Sequence, residues 1–375
     1  LSGTCSEARG VVSPYDDHSL FMTTNAHPGK RVVSPLASKR VLVWGACGFI
    51  GEHLVRRLLS DAARVSVLTF DRRRYPVLSW ADEVDWYELH GSSSDELVLA
   101  EAVESAELIY NLAGSSGAVA SNREPLASMD SICRAQLQML QAIQVAGHRP
   151  HVVFASSRLV YGPTAAIPVA EEGLIRPMSM YAVHKWCAER YHEVFAAQDA
   201  LTYTTCRITN PFGSSGAKRA RGYGFINQLI FQGLEGQPLT IYGNGRQQRD
   251  YLHIDDLVEA LVLCGNSLAA VNQVFNVGRG TGISIIEAAS LIKAATGAGP
   301  LRFLRWPPEH AAVESGDFVA DISKARSLLG FQPRVDFESG LLATIHEERE
   351  RQQVSNVNYR NNVVQKWRKL GAGLT

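Results

Sequence analysis

Tyr181 and Lys185 have the residue types and the spacing for proton transfer. They lie four residues apart in a segment from Ser179 to Phe195 whose apolar spacing predicts a helix, so both side chains share one helix face. A phenol with an ordinary pKa of about 10 is a poor base at neutral pH, but a neighbouring ammonium favours the phenolate and is expected to lower that pKa. The pair therefore predicts a tyrosine that takes or returns a proton and a lysine that activates it. An ordinary helix-surface pair is the alternative interpretation.

Ser157 supplies a hydroxyl just after a predicted strand, His151 to Phe154, upstream of Tyr181. Ligands of an open parallel sheet lie at the carboxyl ends of its strands. Ser157 can therefore hydrogen-bond a reacting substrate oxygen while Tyr181 exchanges its proton. Ser157, Tyr181 and Lys185 are the predicted catalytic residues.

A glycine-rich turn predicts the site of a nucleotide. Val41 to Trp44 is a short apolar run typical of a buried strand, and helical spacing begins at Ile50. Gly45, Gly48 and Gly51 lie between them at intervals of three. A strand, a glycine turn and a helix in succession point the helix N-terminus at a pyrophosphate, and a β-carbon would hold that phosphate away from the backbone.

The elements that must position these residues alternate along the chain. Val65 to Leu68, Leu108 to Leu112 and His151 to Phe154 are further apolar strands, with helical spacing between Met129 and Val145. Ala113 and Gly114, after the third strand, would let the backbone approach a cofactor. Repeated alternation of strands and helices predicts an α/β fold with a parallel sheet covered on both faces.

Composition excludes several classes of protein. The 375 residues are 46% hydrophobic and 20% charged, and 37 basic residues balance 37 acidic ones, so we expect neither a nucleic acid nor a membrane as a partner. Six cysteines are scattered without a close cluster, which predicts no metal site and no disulfide framework and favours the reducing cytoplasm. An apolar run of about 18 residues, long enough to span a bilayer, is missing.

The segment GACGFIG (Gly45 to Gly51), followed by Ser157 and then by the Tyr181 and Lys185 helix, resembles the extended branch of the short-chain dehydrogenase/reductase superfamily. The resemblance runs from about Arg40 to Thr344. It implies a Rossmann-type doubly wound sheet, a smaller C-terminal substrate-binding lobe and a homodimer. The expected organisation is a disordered leader (1–38), a dinucleotide-binding domain (39–211, with segments near 246–280 returning to it), the substrate-binding lobe (212–245 and 281–345) and a C-terminal tail or helix (346–375).

Later motifs resemble those of the nucleotide-sugar enzymes in that superfamily. RITNPFG and IYGNGRQQRDY resemble segments in which an asparagine contacts the sugar nucleotide and an arginine contacts the diphosphate; here these are Asn210 and Arg249. The resemblance implies substrate contacts from Ser157, Arg158, Asn210, Phe225, Asn227, Tyr242 and Arg249. The implied cofactor contacts are Gly45, Gly48, Phe49, Ile50, Gly51, Thr69, Arg72, Leu112, Ala113, Gly114, Tyr181 and Lys185.

Departures from the family pattern narrow the expected reaction. Arg158 and Leu159 stand where the dehydratases carry the Asp and Glu that expel water, so a dehydratase is disfavoured. Glu314 replaces a second diphosphate-binding arginine of well-known 4-epimerases. Thr69 stands where an acidic residue would bind the ribose hydroxyls of NAD, and the arginines from Arg72 suit NADP, although the family mostly uses NAD.

The expected function is NAD(P)-dependent epimerisation of a nucleoside-diphosphate hexose at C4 through a transient 4-keto intermediate. One alternative is an NADPH-dependent 4-keto nucleotide-sugar reductase or dehydrogenase. Another is a non-catalytic dinucleotide sensor, although such proteins usually lose the tyrosine or the lysine, and both are present here.

Overall fold

The computed structural model describes residues 36–70, 78–91, 95–115, 117–215 and 224–353. The leader up to residue 35, the arginines from Arg72 and the tail from residue 354 lie outside these ranges. Residues 36–38, which the sequence assigned to the leader, form a turn in which Leu36 is fully buried.

Strands and helices alternate through most of the described chain. The strands are β1 (Arg40–Trp44), β2 (Arg64–Thr69), β3 (Asp85–Glu88), β4 (Leu108–Asn111), β5 (His151–Ser157), β6 (Thr202–Ile208), β7 (Asn210–Phe212), β8 (Leu239–Tyr242), β9 (Gln248–Arg249), β10 (Tyr251–His253), β11 (Gln273–Val277), β12 (Ile283–Ser284) and β13 (Leu301–Leu304). The helices are α1 (Phe49–Ser60), α2 (Asp95–Glu104), α3 (Ala118–Arg123), α4 (Pro125–Met129), α5 (Ala135–Ala146), α6 (Met180–Ala197), α7 (Phe225–Leu234), α8 (Ile254–Asn266), α9 (Ile285–Thr296), α10 (Pro308–Ala311), α11 (Ser323–Leu329) and α12 (337–353). A π-helical turn (Asp130–Arg134) precedes α5, and a 3₁₀ turn (Arg158–Val160) follows β5.

Seven parallel strands form the central sheet in the order β11-β6-β5-β4-β1-β2-β3. The strand order reverses direction between β1 and β4, which leaves a crevice at their carboxyl ends. The glycine turn follows β1, and Gly114 follows β4, so both predicted cofactor segments border this crevice. The predicted α/β fold with a doubly wound parallel sheet is confirmed.

Successive residues of β1 pack on opposite faces of the sheet. Val41 and Val43 belong to the core under α1 and α8, whereas Leu42 and Trp44 belong to the core under α2 and α5. A strand has a side-chain period of two, so an uninterrupted apolar run is what a strand covered on both faces requires. This explains why β1 is recognisable in the sequence.

A separate core gathers later elements around α7 and α9. Phe212, Ile230, Ile241, Ile292 and Leu341 are among its buried members. Two-stranded pairs, β13 with β8 and β12 with β9, border it, and neither pair was predicted. The division into two lobes that this core suggests stays a proposal.

No helix in the described ranges has both the length and the apolar character needed to cross a membrane.

Candidate active site

Helix α6 carries Tyr181 and Lys185, and its first turn is tied down by hydrogen bonds. The Ser179 hydroxyl caps the helix by accepting from the Ala182 N–H at 3.2 Å. The backbone N–H of Tyr181 donates to the Ser121 hydroxyl at 2.9 Å, and that of Met180 donates to the Asn122 side chain at 2.9 Å. These bonds fix the start of the helix and therefore the position of Tyr181.

Strand β5 extends to Ser157, further than the predicted end at Phe154. The Ser157 hydroxyl accepts from the Leu159 N–H at 3.2 Å and caps the 3₁₀ turn that follows. It also hydrogen-bonds Tyr181. The predicted serine and tyrosine are therefore in direct contact.

One cleft at the crevice of the sheet brings the predicted groups together. Its walls are Ile50, Leu112, Gly114, Ala155, Ser156, Ser157, Tyr181, Lys185, Ile208, Thr209 and Pro211. All three predicted catalytic residues line it, as do Ile50 from the first turn of α1 and Gly114. Lys185 and the phenol of Tyr181 thus lie beside the segments that the glycine pattern assigned to the nucleotide.

The Tyr181 phenol is a weaker acid here than the sequence predicted. Burial raises the pKa of Tyr181 to about 12, and the Ser157 hydrogen bond offsets part of that rise. The Lys185 Nζ lies 6.0 Å from the centroid of the Tyr181 ring and instead donates to the Ala155 carbonyl at 2.8 Å. The prediction that Lys185 lowers the pKa of Tyr181 is wrong in this structure, because burial outweighs any charge effect at that distance.

Burial disfavours the charged form of Lys185. It is 4% exposed, and burial lowers its pKa to about 8, against the opposing charge of Glu189. Its Nζ also lies 3.5 Å from the Ala113 carbonyl and 4.9 Å from the centroid of the Phe154 ring. The amine is therefore held between the ends of β4 and β5, at the mouth of the crevice.

The three glycines of the turn have different structural tasks. Gly45 adopts a left-handed φ of +88°, and a β-carbon there would lie 2.9 Å from the Leu112 carbonyl carbon. A β-carbon at Gly51 would lie 2.3 Å from the Gly45 oxygen, so this glycine lets α1 pack against the turn. Gly48 precedes α1, is exposed, and leaves the helix N-terminus without a side-chain cap. An anion can approach the helix at Gly48.

The adenosine end of the predicted cofactor site is described only in part. Thr69 ends β2, is buried, and hydrogen-bonds the Cys47 thiol. Arg72 lies outside the described residues, so its predicted contact stays a prediction.

Predicted substrate residues lie in β7 and in the elements that follow it. Asn210 donates from Nδ2 to the Asp250 carbonyl at 2.9 Å, and Asn227 in α7 is buried and accepts from the Gly213 N–H at 3.3 Å. Phe225 begins α7. Tyr242 is further away along the chain, at the end of β8, where its ring packs against Trp306 and His310. Phe225, Asn227 and Tyr242 lie beside the second core, whereas Asn210 lies between two residues that line the catalytic cleft.

Arg249 is occupied by a carboxylate of this chain. Its Nη2 donates to Glu314 Oε1 at 2.5 Å, and its Nη1 donates to the Gly316 carbonyl at 2.6 Å. The sequence motif predicts that Arg249 contacts the diphosphate, and in the structure this arginine is paired with Glu314. A diphosphate at Arg249 would have to share or displace that carboxylate.

A buried network beneath the cleft was not predicted from the sequence. Glu189, one helical turn beyond Lys185, receives hydrogen bonds from Arg207 (Nη2, 2.8 Å) and from the Ser156 hydroxyl. Arg207 also donates to the Tyr161 hydroxyl at 3.0 Å. The spacing of four between Lys185 and Glu189 was a signal that could have suggested a shared helix face.

Comparison with known proteins gives matches along most of the chain. The family model of the NAD dependent epimerase/dehydratase family matches residues 41–278. The UDP-glucuronic acid decarboxylase 1 of Xenopus tropicalis is 30% identical, over 86% of this chain and 75% of that protein. The UDP-glucose 4-epimerase of Mycolicibacterium smegmatis is 29% identical, over 84% of this chain and 100% of that protein.

A solved structure, the UDP-glucuronic acid 4-epimerase from Bacillus cereus in complex with UDP-glucuronic acid and NAD, superimposes with a TM-score of 0.72. It is 25% identical, and the match covers 83% of this chain and 99% of that one.

Proposed function

The chain belongs to the NAD-dependent epimerase/dehydratase family, and from that premise we propose that it inverts C4 of a nucleoside-diphosphate sugar. It is a nucleotide-sugar epimerase that uses NAD. The observation that carries the C4 assignment is the single cleft in which Ser157 and Tyr181 are hydrogen-bonded beside Lys185. Matches to 4-epimerases of two nucleotide sugars support the same position on the sugar ring.

The residues at the crevice fit NAD. The uncapped N-terminus of α1 and the exposed Gly48 would hold its pyrophosphate, since a side chain there would fill the space. Gly114 adopts a φ of +127°, which favours glycine, and a β-carbon there would lie 3.1 Å from the Ile132 side chain and 3.7 Å from the Lys185 Nζ. When bound, NAD supplies the acceptor that takes a hydride from C4 and later returns it.

The chain's own residues move the proton. Tyr181, as phenolate, takes the proton of the C4 hydroxyl, while Ser157 hydrogen-bonds the same oxygen as it becomes a carbonyl. The 4-keto sugar then rotates and presents its other face, and Tyr181 returns the proton to the oxygen. C4 thereby ends with the opposite configuration. Because burial raises the pKa of Tyr181 to about 12, the phenolate forms only where positive charge is brought next to it.

Oxidation at C4 is also the first step of other reactions. A sugar with a carboxylate on C5 becomes a β-keto acid once C4 is a ketone, and such an acid can lose CO₂. The 30% identity to a UDP-glucuronic acid decarboxylase makes this decarboxylation the second candidate. The NADPH-dependent reductase and the non-catalytic sensor remain further alternatives.

The test is conversion of UDP-glucose, UDP-galactose, UDP-N-acetylglucosamine and UDP-glucuronate by purified protein, each with NAD or NADPH, followed by NMR and mass spectrometry. We expect C4 epimers of unchanged mass with NAD in catalytic amounts. Loss of CO₂ would assign decarboxylation, and stoichiometric consumption of NADPH would assign the reductase. Measurable affinity for NAD without conversion of any nucleotide sugar would favour the sensor.

Tyr181→Phe is the matched variant for this assay. It should lower kcat at least about 100-fold, because a positioned acid/base is lost. Tyr191→Phe, on the same helix but outside the walls of the cleft, is the control and should retain turnover. Turnover in Tyr181→Phe equal to that of the wild type would refute the mechanism.

We further propose that the protein is a cytoplasmic homodimer. Free thiols at Cys47, Cys133, Cys187, Cys206 and Cys264 support a reducing compartment. Exposed apolar side chains on α5 and α6, including Val145, Trp186 and Val194, support self-association. Light scattering after size exclusion measures the mass in solution, and a monomeric mass would contradict the dimer.

A further inference from the structure

Three arginines of the described chain are buried, and one of them differs from the others. Arg158, Arg207 and Arg249 are 7%, 4% and 7% exposed. Arg207 is paired with Glu189, and although burial opposes it, that carboxylate raises the pKa of Arg207 above its ordinary value. Arg249 is paired with Glu314. Arg158 forms no ion pair with any carboxylate of the described residues.

The partners of Arg158 are neutral. Its Nε lies 3.4 Å from Asn210 Oδ1, its Nη1 donates to the Ser315 hydroxyl at 3.1 Å, and its guanidinium lies 5.2 Å from the centroid of the Phe318 ring. Burial and, to a smaller extent, the charge of Arg249 lower its pKa to about 9, against the opposing charge of Glu314. Burying a cation without a counter-ion lowers the free energy of unfolding. The stability of the fold therefore does not explain why an arginine is present at position 158.

The position of Arg158 relates it to the sugar. It directly follows Ser157, which in the proposed function hydrogen-bonds the oxygen on C4. Its partner Asn210 lies between Thr209 and Pro211, which line the same cleft. A charged group on C5 is bonded to the neighbour of C4, whereas the diphosphate is attached at C1, on the far side of the ring. The carboxylate of a uronic acid, which is attached at C5, is therefore an anion that would lie near Ser157 when C4 does.

We propose that Arg158 binds a carboxylate on C5 of the sugar, so that the preferred substrate is a nucleoside-diphosphate uronic acid. The inference rests on the proposed function, since it takes C4 as the reacting carbon. A carboxylate suits the planar guanidinium, which can bind it through two parallel hydrogen bonds. The bound substrate supplies the counter-ion that the folded chain does not give Arg158, whereas Arg249 is already paired with Glu314 and would have to share or exchange that carboxylate to bind the diphosphate.

The test compares UDP-glucuronate with UDP-glucose, which differ only at C6, in the wild type and in Arg158→Met. We expect the wild type to favour UDP-glucuronate in kcat/KM by at least about 30-fold, as one charge-assisted pair in a buried site allows. Arg158→Met should lower kcat/KM for UDP-glucuronate at least about 30-fold more than for UDP-glucose. Arg158→Lys should recover part of the preference, because it keeps the charge but not the fork. Melting temperatures identify variants that fail to fold.

Calorimetric titration separates the inference from the proposed function. UDP-glucuronate, UDP-glucose and UDP are titrated into wild type, Arg158→Met and Arg158→Lys, with NAD present, and turnover is not needed for this measurement. A selective loss of UDP-glucuronate affinity in Arg158→Met supports the inference even if no epimer forms. An equal loss of affinity for UDP would assign Arg158 to the diphosphate and overturn it. Equal affinities of the wild type for UDP-glucuronate and UDP-glucose would also overturn it.

Discussion

Lys185 should make the stability of the protein depend on pH in a direction opposite to that of a surface lysine with a partner. The amine is buried between two carbonyls, and its pKa falls from 10.5 to about 8 in the folded chain. In the unfolded chain it regains its ordinary pKa of about 10.4. The perturbation that isolates it is Lys185→Met, which keeps an unbranched apolar side chain and removes the titrating group.

The sign follows from proton binding. Between the two pKa values the unfolded chain binds more protons at Lys185 than the folded chain does, so the free energy of unfolding rises with pH in that window. Below pH 8 the amine is charged in both states, and the full cost of its burial is present. The whole difference corresponds to about 3 kcal/mol, and about 2 kcal/mol of it should be recovered between pH 7 and 9.5.

Urea unfolding followed by tryptophan fluorescence, without added nucleotide, measures this contribution at half-unit steps from pH 7 to 9.5. The quantity to plot is the free energy of unfolding of the wild type minus that of Lys185→Met, because other titrating groups cancel in the difference. We expect it to rise by about 2 kcal/mol. Lys293→Met, which removes an amine at an exposed position of α9, is the matched control. A flat difference for Lys185→Met would refute the argument and show that the cleft keeps this amine solvated.

Three further predictions test other parts of the site. Ser157→Ala should lower kcat about 100-fold with little change in melting temperature, because it removes a hydrogen bond to the oxygen that changes charge; an equal fall in melting temperature and activity would contradict this. Gly48→Ala should weaken NAD affinity at least about tenfold in calorimetry and leave the fold intact. Gly51→Ala should instead lower the melting temperature, because its β-carbon would lie 2.3 Å from a backbone oxygen. Similar effects of the two variants would be evidence against separate roles. Glu189→Gln should cost about 3 to 5 kcal/mol in urea unfolding because it leaves Arg207 buried without its counter-ion, and a cost under about 1 kcal/mol, as for a surface pair, would contradict a buried network.

The predictions that came from local patterns agree with the structure. The strand before Gly45 and the helix after Gly48 are where the apolar run and the helical spacing placed them, because both periods are set by neighbours a few residues away. The shared face of Tyr181 and Lys185 is equally local. Strand β3 was missed, since its half-buried sequence DWYE has no apolar run.

Predictions about charge went wrong where they depended on distant segments. Lys185 was expected to lower the pKa of Tyr181, but the carbonyls at the ends of β4 and β5 hold the ammonium away from the ring. Arg249 was predicted to contact the diphosphate, and its pairing with Glu314, from a later loop, was not foreseen. Sequence spacing gives no account of either contact.

The amino-acid sequence alone indicated the parallel α/β architecture, four of the seven strands of the sheet and the glycine turn, because strand and helix periods and the need for glycine are properties of neighbouring residues. The roles of Ser157 and Tyr181 as the reacting hydroxyl groups stay a prediction. Only the tertiary structure decided which buried charges are paired. Glu189 and Glu314 reach Arg207 and Arg249 because strands and loops far apart in the chain meet, and no described carboxylate pairs with Arg158. The pKa of a side chain depends on burial and on what lies within a few ångströms, and folding sets both.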